Sequence, residues 1–143
     1  MAEEPMELIR IEGGGNAITL RITGRDVAQN SGGRDYLNAE FRVEGRFVGG
    51  TITSLIDGHD LDEWQQALDA LDAGYDIAWC EKSPMPTLFI DLDEHNHGCR
   101  VSVREDQGPL TTVSMAMPLS DKWFDDAYRR LDKVRETWPL PDN

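Results

Sequence analysis

The residues best suited to chemistry lie together at 91–99, Asp-Leu-Asp-Glu-His-Asn-His-Gly-Cys. On a straight strand Asp91, Asp93, His95, His97 and Cys99 would share one face. Two carboxylates, two imidazoles and a thiol suit zinc. Asn96 and Gly98, however, mark the bend of a hairpin, where strand parity fails. A calcium loop fails too. Counted from Asp93, the third and fifth positions are His95 and His97 and the twelfth is Arg104, so the oxygen ligands are missing. The stretch reads as a polar hairpin tip, and no metal ligand is assigned.

Other chemical motifs fare no better. Gly13-Gly14-Gly15 is followed by Asn16-Ala17-Ile18, not by the Gly-Lys-Ser/Thr that brings a lysine to phosphates. A strand and not a helix follows, so these glycines read as a hairpin turn. No Gly-x-Ser-x-Gly elbow exists. Acidic pairs are unselected, because 27 acids in 143 residues make chance pairs inevitable. Cys80 reads as a small core residue at a strand end, and His59 as a packing residue just ahead of a helix cap. No catalytic residue and no cofactor is assigned.

The element around which these residues must be arranged is a helix over residues 59–73. Leu61, Trp64, Leu68 and Leu71 recur at steps of three and four, which places them on one stripe. Asp60 is read as the N-cap, with Glu63 completing a capping box, and Gly74 as the residue of positive φ after the last turn. The opposite face is acidic. Between Asp57 and Asp76 there are seven acids and no lysine or arginine. Asp69 and Asp72 have no basic residue four positions away within the helix, and Asp72 sits where the helix dipole disfavours negative charge. Such a face either solubilises or takes a basic partner.

Charge bounds the partner. The net charge of −13 and pI near 4.5 exclude a nucleic-acid footprint and an anionic membrane surface. The start, MAEEPMEL, lacks the apolar core of a signal peptide, and no apolar run reaches the ~20 residues of a membrane span. Two cysteines are too few for a secreted disulfide scaffold, so free thiols and a cytoplasmic location are expected.

The length fits one α+β domain over residues 1–143. Alternation predicts strands at 8–12, 17–23, 36–44 and 47–56, then, after the helix, at 76–81, 87–92, 99–103 and 111–117. Gly49-Gly50 inside the fourth suggests a bulge. A last helix, 121–137, is capped by Ser120 or Asp121 and carries the stripe Phe124, Ala127, Leu131, Val134 and Trp138. The order ββββαββββα, with short turns, predicts an antiparallel sheet or sheets of about eight strands with both helices on the apolar face. It also admits a weak ββββα duplication.

The segments ELIRIEGGGNAITLRITGR, DLDEWQQALDALDAG and PLSDKWFDDAYRRLDKVRETWP resemble an actinobacterial family of small, acidic, cytoplasmic proteins of unknown function. More distantly, Asp60, Leu61, Trp64, Leu68 and Leu71 are similar to the helix of WapI-type immunity proteins, which neutralise a toxin encoded beside them. The resemblance implies fold at these positions and not chemistry. The expectation is a non-enzymatic protein that binds a basic protein partner through Asp57, Asp62, Asp69, Asp72 and Asp76, and that is immunity-like. A ligand, metal or substrate pocket near His59 or His95/His97 is one alternative. A structural subunit that pairs with itself through an exposed strand edge is another.

Overall fold

The structure, a computed structural model, describes residues 4–26, 36–80, 86–93, 98–105 and 110–140. It has the element order ββββαββββα. Strands β1 (Met6–Gly13), β2 (Asn16–Asp26), β3 (Tyr36–Glu44) and β4 (Gly49–Ile56) form one antiparallel meander. Helix α1 (Gly58–Asp72) follows. Strands β5 (Ile77–Trp79), β6 (Thr87–Asp93), β7 (Gly98–Glu105) and β8 (Thr111–Pro118) form a second meander, and helix α2 (Asp121–Thr137) closes the chain.

The alternation in the sequence becomes the inner faces of these sheets. Ile18, Leu20 and Ile22 of β2, and Leu37, Ala39, Phe41 and Val43 of β3, are buried. So are Val101 and Val103 of β7, with Met115 and Met117 of β8. The two sheets share one core. Phe41 of the first lies 6.5 Å from Trp79 of the second, and Trp79 lies 5.2 Å from Trp64 of α1. Each helix packs on the opening strand of the other half, α1 on β5 and α2 on β1, and the helices touch each other. Neither ββββα half therefore closes its own core.

The first hairpin turns through Gly14 and Gly15, whose φ values of +62° and +85° supply the two positive angles that a two-residue primed turn demands. Asn16 then reaches across to the Ala116 carbonyl of β8 at 3.5 Å. The other turn at this end is longer than a two-residue loop at Gly45-Arg46. It runs Gly45–Val48, closed by the Gly45 N–H on the Val48 carbonyl at 2.8 Å. Strand β4 accordingly begins at Gly49 and not at residue 47.

The bulges fall elsewhere than at Gly49-Gly50, which pair regularly with Glu44 and Val43. One sits at Leu8, where the register steps from Glu7↔Arg21 to Ile9↔Leu20. The inserted residue lets Leu8 and Ile9 both turn inward, and both are buried. The second sits at Thr23, between Ile22↔Ala39 and Gly24↔Asn38.

Helix α1 starts one turn earlier than an Asp60 cap would place it. Asp57 is the N-cap. Its carboxylate accepts from the Asp60 N–H at 2.9 Å, and the Asp60 carboxylate accepts from the Asp57 N–H at 3.0 Å. At the far end Gly74, at φ +97°, and Tyr75 donate to the Leu71 and Ala70 carbonyls, a Schellman closure. Helix α2 is capped by Ser120, whose hydroxyl accepts from the Trp123 N–H at 3.3 Å.

Candidate functional site

An open cleft of about 620 Å³ runs between the first turns of α1 and strand β5. The helix contributes His59, Asp60, Glu63, Gln66 and Ala67, and the strand side contributes Asp76, Ile77, Ala78, Trp79 and Cys80. Helical geometry explains the first wall. Asp60, Glu63 and Gln66 are three residues apart and so stand along one face, while the small Ala67 leaves room beside them. The strand wall is held to the helix by Trp79, whose indole Nε1–H donates to the Asp60 carbonyl at 2.9 Å. Asp76 is fixed at the mouth, where its carboxylate accepts from the Leu92 N–H at 2.7 Å.

The cleft is acidic. Among the described residues no lysine or arginine lines it. Partial burial, with the charges of Asp57 and Glu63 adding to it, pushes the Asp60 carboxyl up to about 6, against the pull of the Asp57 N–H that it accepts. His59 Nε2 lies 3.0 Å from Glu63 Oε1, and both side chains are open to solvent. Cys80 closes the floor. Burial first, then the carboxylates of Asp60, Glu63 and Asp57, raise its thiol well above the ordinary range. A thiol held protonated in this way is a poor nucleophile. Its backbone lies in the left-handed region at φ 64°, an uncommon conformation for a residue with a side chain. The arrangement can receive a cation, and among the described residues that line it no nucleophile stands with a base.

The structure distributes the five acids expected to bind a partner. Asp57 is buried and spent on the helix cap. Asp62 pairs with Arg135 of α2 at 2.8 Å. Asp69 accepts from the Tyr128 hydroxyl at 2.6 Å. Asp72 is exposed at the helix end, and Asp76 lies at the cleft mouth. Helix α2 thus supplies the compensation that α1 lacks within itself. Burial and the hydrogen bond to Asp69 raise the Tyr128 phenol, so it stays a donor.

His59 is not packed as a staple. It lies in the first turn of α1, exposed, on the cleft rim. His95 and His97 lie outside the described residues, with Glu94 before and Asn96 between them. Among the described residues no group of three metal-ligating side chains comes together. Cys80 and Cys99 are buried free thiols. Trp123 is half-buried, and its indole N–H donates to the Arg10 carbonyl at 2.8 Å. Among the described residues no helix is long and apolar enough to cross a membrane.

Of the cleft residues, sequence reasoning read Asp60 and Glu63 only as cap residues and Cys80 only as core, and it passed over Gln66. The signal was present in the three-residue spacing of Asp60, Glu63 and Gln66, beside Ala67. No curated protein matches the chain. A model of a family of unknown function (DUF5959) matches residues 6–139, nearly the whole length, and the chain belongs to that family.

Proposed function

We propose that this chain is a non-enzymatic binding protein that takes a basic protein partner on its acidic side, with a cationic side chain entering the cleft between α1 and β5. The observation that carries this reading is the cleft itself, which sets Asp60, Glu63 and Asp76 around one opening without a lysine or arginine in its described lining. The exposed Asp72 adds charge at the far end of α1, outside the cleft. A net charge of −13 steers a basic partner toward the molecule. The likeness of Asp60, Leu61, Trp64, Leu68 and Leu71 to the helix of WapI-type immunity proteins makes a toxin-like basic protein the partner class to test first.

The test is capture of host proteins on the immobilised chain at low and moderate salt. A basic protein retained at low salt and lost as salt rises supports the reading. Glu63→Gln with Asp76→Asn should abolish retention, whereas Asp69→Asn should weaken it only slightly. Equal capture by both variants would remove the cleft from the interface.

A second reading keeps the same cleft but fills it with a small cationic molecule. The cleft volume of about 620 Å³ favours it. A polyamine that raises the melting temperature of the parent, and not of Glu63→Gln, would support this reading over the protein partner.

A further inference from the structure

We propose that the groove between the Gly45–Val48 turn and β8 is a self-association surface, in which Phe47 of one copy seats in the groove of a second copy. Phe47 is 95% exposed at the tip of that turn. Beside it lies a groove of about 310 Å³, walled by Phe47 and Val48 on one side and by Val113, Met115 and Ala116 on the other. An aromatic anchor adjoining a groove with apolar side chains on both walls, among Asn16, Arg46 and Ser114, makes a self-complementary patch. A two-fold axis can then place each anchor in the other copy's groove.

Charge selects the occupant. Charged residues make up 29% of this chain, yet residues 47–56 and 107–120 contain none, and they are its two longest charge-free runs. They meet at this groove, one giving Phe47 and Val48, the other the β8 wall. Two copies at −13 repel each other over most of their surface, and this is a place where they can touch without opposing acids. The rim adds complementarity. Arg46 lines the groove and makes no ion pair among the described residues. Glu44, at the edge of the neighbouring depression, is held only loosely by Arg42 at 3.7 Å. A two-fold contact brings Arg46 of each copy toward Glu44 of the other.

The turn is also held ready for contact. Behind it the Met115 methyl would stand only 2.8 Å from a Cβ placed on Gly45, so the turn is seated closely on β8. A turn whose backbone is already seated loses little backbone freedom on docking.

Sedimentation velocity of the full chain over about a hundredfold concentration range tests the proposal. The parent is expected to pass from monomer to dimer, and added salt should favour the dimer by screening the repulsion between copies. Phe47→Asp should raise the dissociation constant at least tenfold with an unchanged circular-dichroism spectrum, since the side chain meets almost nothing in the monomer. Ala116→Arg, on the opposite wall, should do the same without touching the turn. A parent that stays monomeric at every concentration and salt overturns the proposal, as does a dimer that survives both substitutions. A different protein occupying the groove would give the first of these outcomes.

Discussion

Asp62 of α1 and Arg135 of α2 meet at 2.8 Å, and Arg135 also donates to the Gln65 side chain. Seven residues further along α1, Asp69 meets Tyr128, which lies seven residues earlier in α2. The two contacts fix the helices as antiparallel neighbours in register. Arg135→Ala should destabilise the fold by about 0.5 kcal/mol, because the pair is half open to water. Urea unfolding of the parent, Arg135→Ala, Asp62→Asn and the double variant measures it. A coupling energy near zero would mean that the pair orients the helices without stabilising them. Freeing Asp62 also adds negative potential, so under the proposed function Arg135→Ala should retain a basic partner to higher salt.

Gly13 and Pro118 mark where the first hairpin meets β8. A Cβ on Gly13 would stand 2.4 Å from Pro118 Cδ, and the proline ring cannot rotate away. Gly13→Ala should therefore separate the hairpin from β8 and cost about 1–3 kcal/mol, as overpacking does. Gly14, at φ +62° with open space around it, is the control. Gly14→Ala pays only for the left-handed backbone, about 1 kcal/mol. A denaturant midpoint lower for Gly13→Ala than for Gly14→Ala would show that the steric contact matters at this junction.

Much of this fold was legible because period-two and period-3.6 patterns survive in β2, β3, β7 and both helices. What escaped was local. Leu8 stands out of phase with Ile9 and Ile11, and that misfit is the bulge itself: an inserted residue turns inward against the alternation. The cap of α1 was ambiguous because Asp57, Asp60 and Glu63 are equally spaced, so two capping boxes one turn apart fit the same residues. The end of β4 at Ile56 decides between them, and strand ends depend on the neighbouring strand. The acidic face looked unbalanced because its partners, Arg135 and Tyr128, lie more than fifty residues away in α2. The cleft was hidden for a related reason. Its helix wall reads as a solvated face until β5 is placed beside it.

Asp57 joins the cap to the cleft. Asp57→Ala removes the acceptor for the Asp60 N–H and should cost about 1 kcal/mol. Asp57→Asn keeps an acceptor oxygen in place and should cost much less. The asparagine also removes a negative charge beside Asp60, so the Asp60 carboxyl should fall toward its ordinary range. Thermal unfolding separates the two effects on stability, and carboxyl carbon shifts in an NMR titration report the change at Asp60. A loss with asparagine as large as that with alanine would place the importance of Asp57 in its charge and not in the cap.

Asp60 gives the sharpest dependence on pH. Its carboxyl titrates near 6 in the folded chain, against an ordinary value of 3.8. Between those two values the folded protein holds a proton that the unfolded chain has released. Unfolding then gives up that proton, so raising the pH through this window favours the unfolded state. The contribution of this group is complete below about pH 4 and is lost as pH passes 6. Asp60→Asn, which keeps an acceptor for the Asp57 N–H but cannot ionise, should be more stable than the parent above pH 6. The expected gain is about 1 kcal/mol, well below the full value of the shift because the side chain is only half-buried. The gap should close as pH falls toward 4. Other carboxylates contribute their own slope, so the measurement is the difference between the two unfolding curves at each pH. A constant difference from pH 4 to 8 would mean that Asp60 ionises normally and that the cleft does not hold its proton.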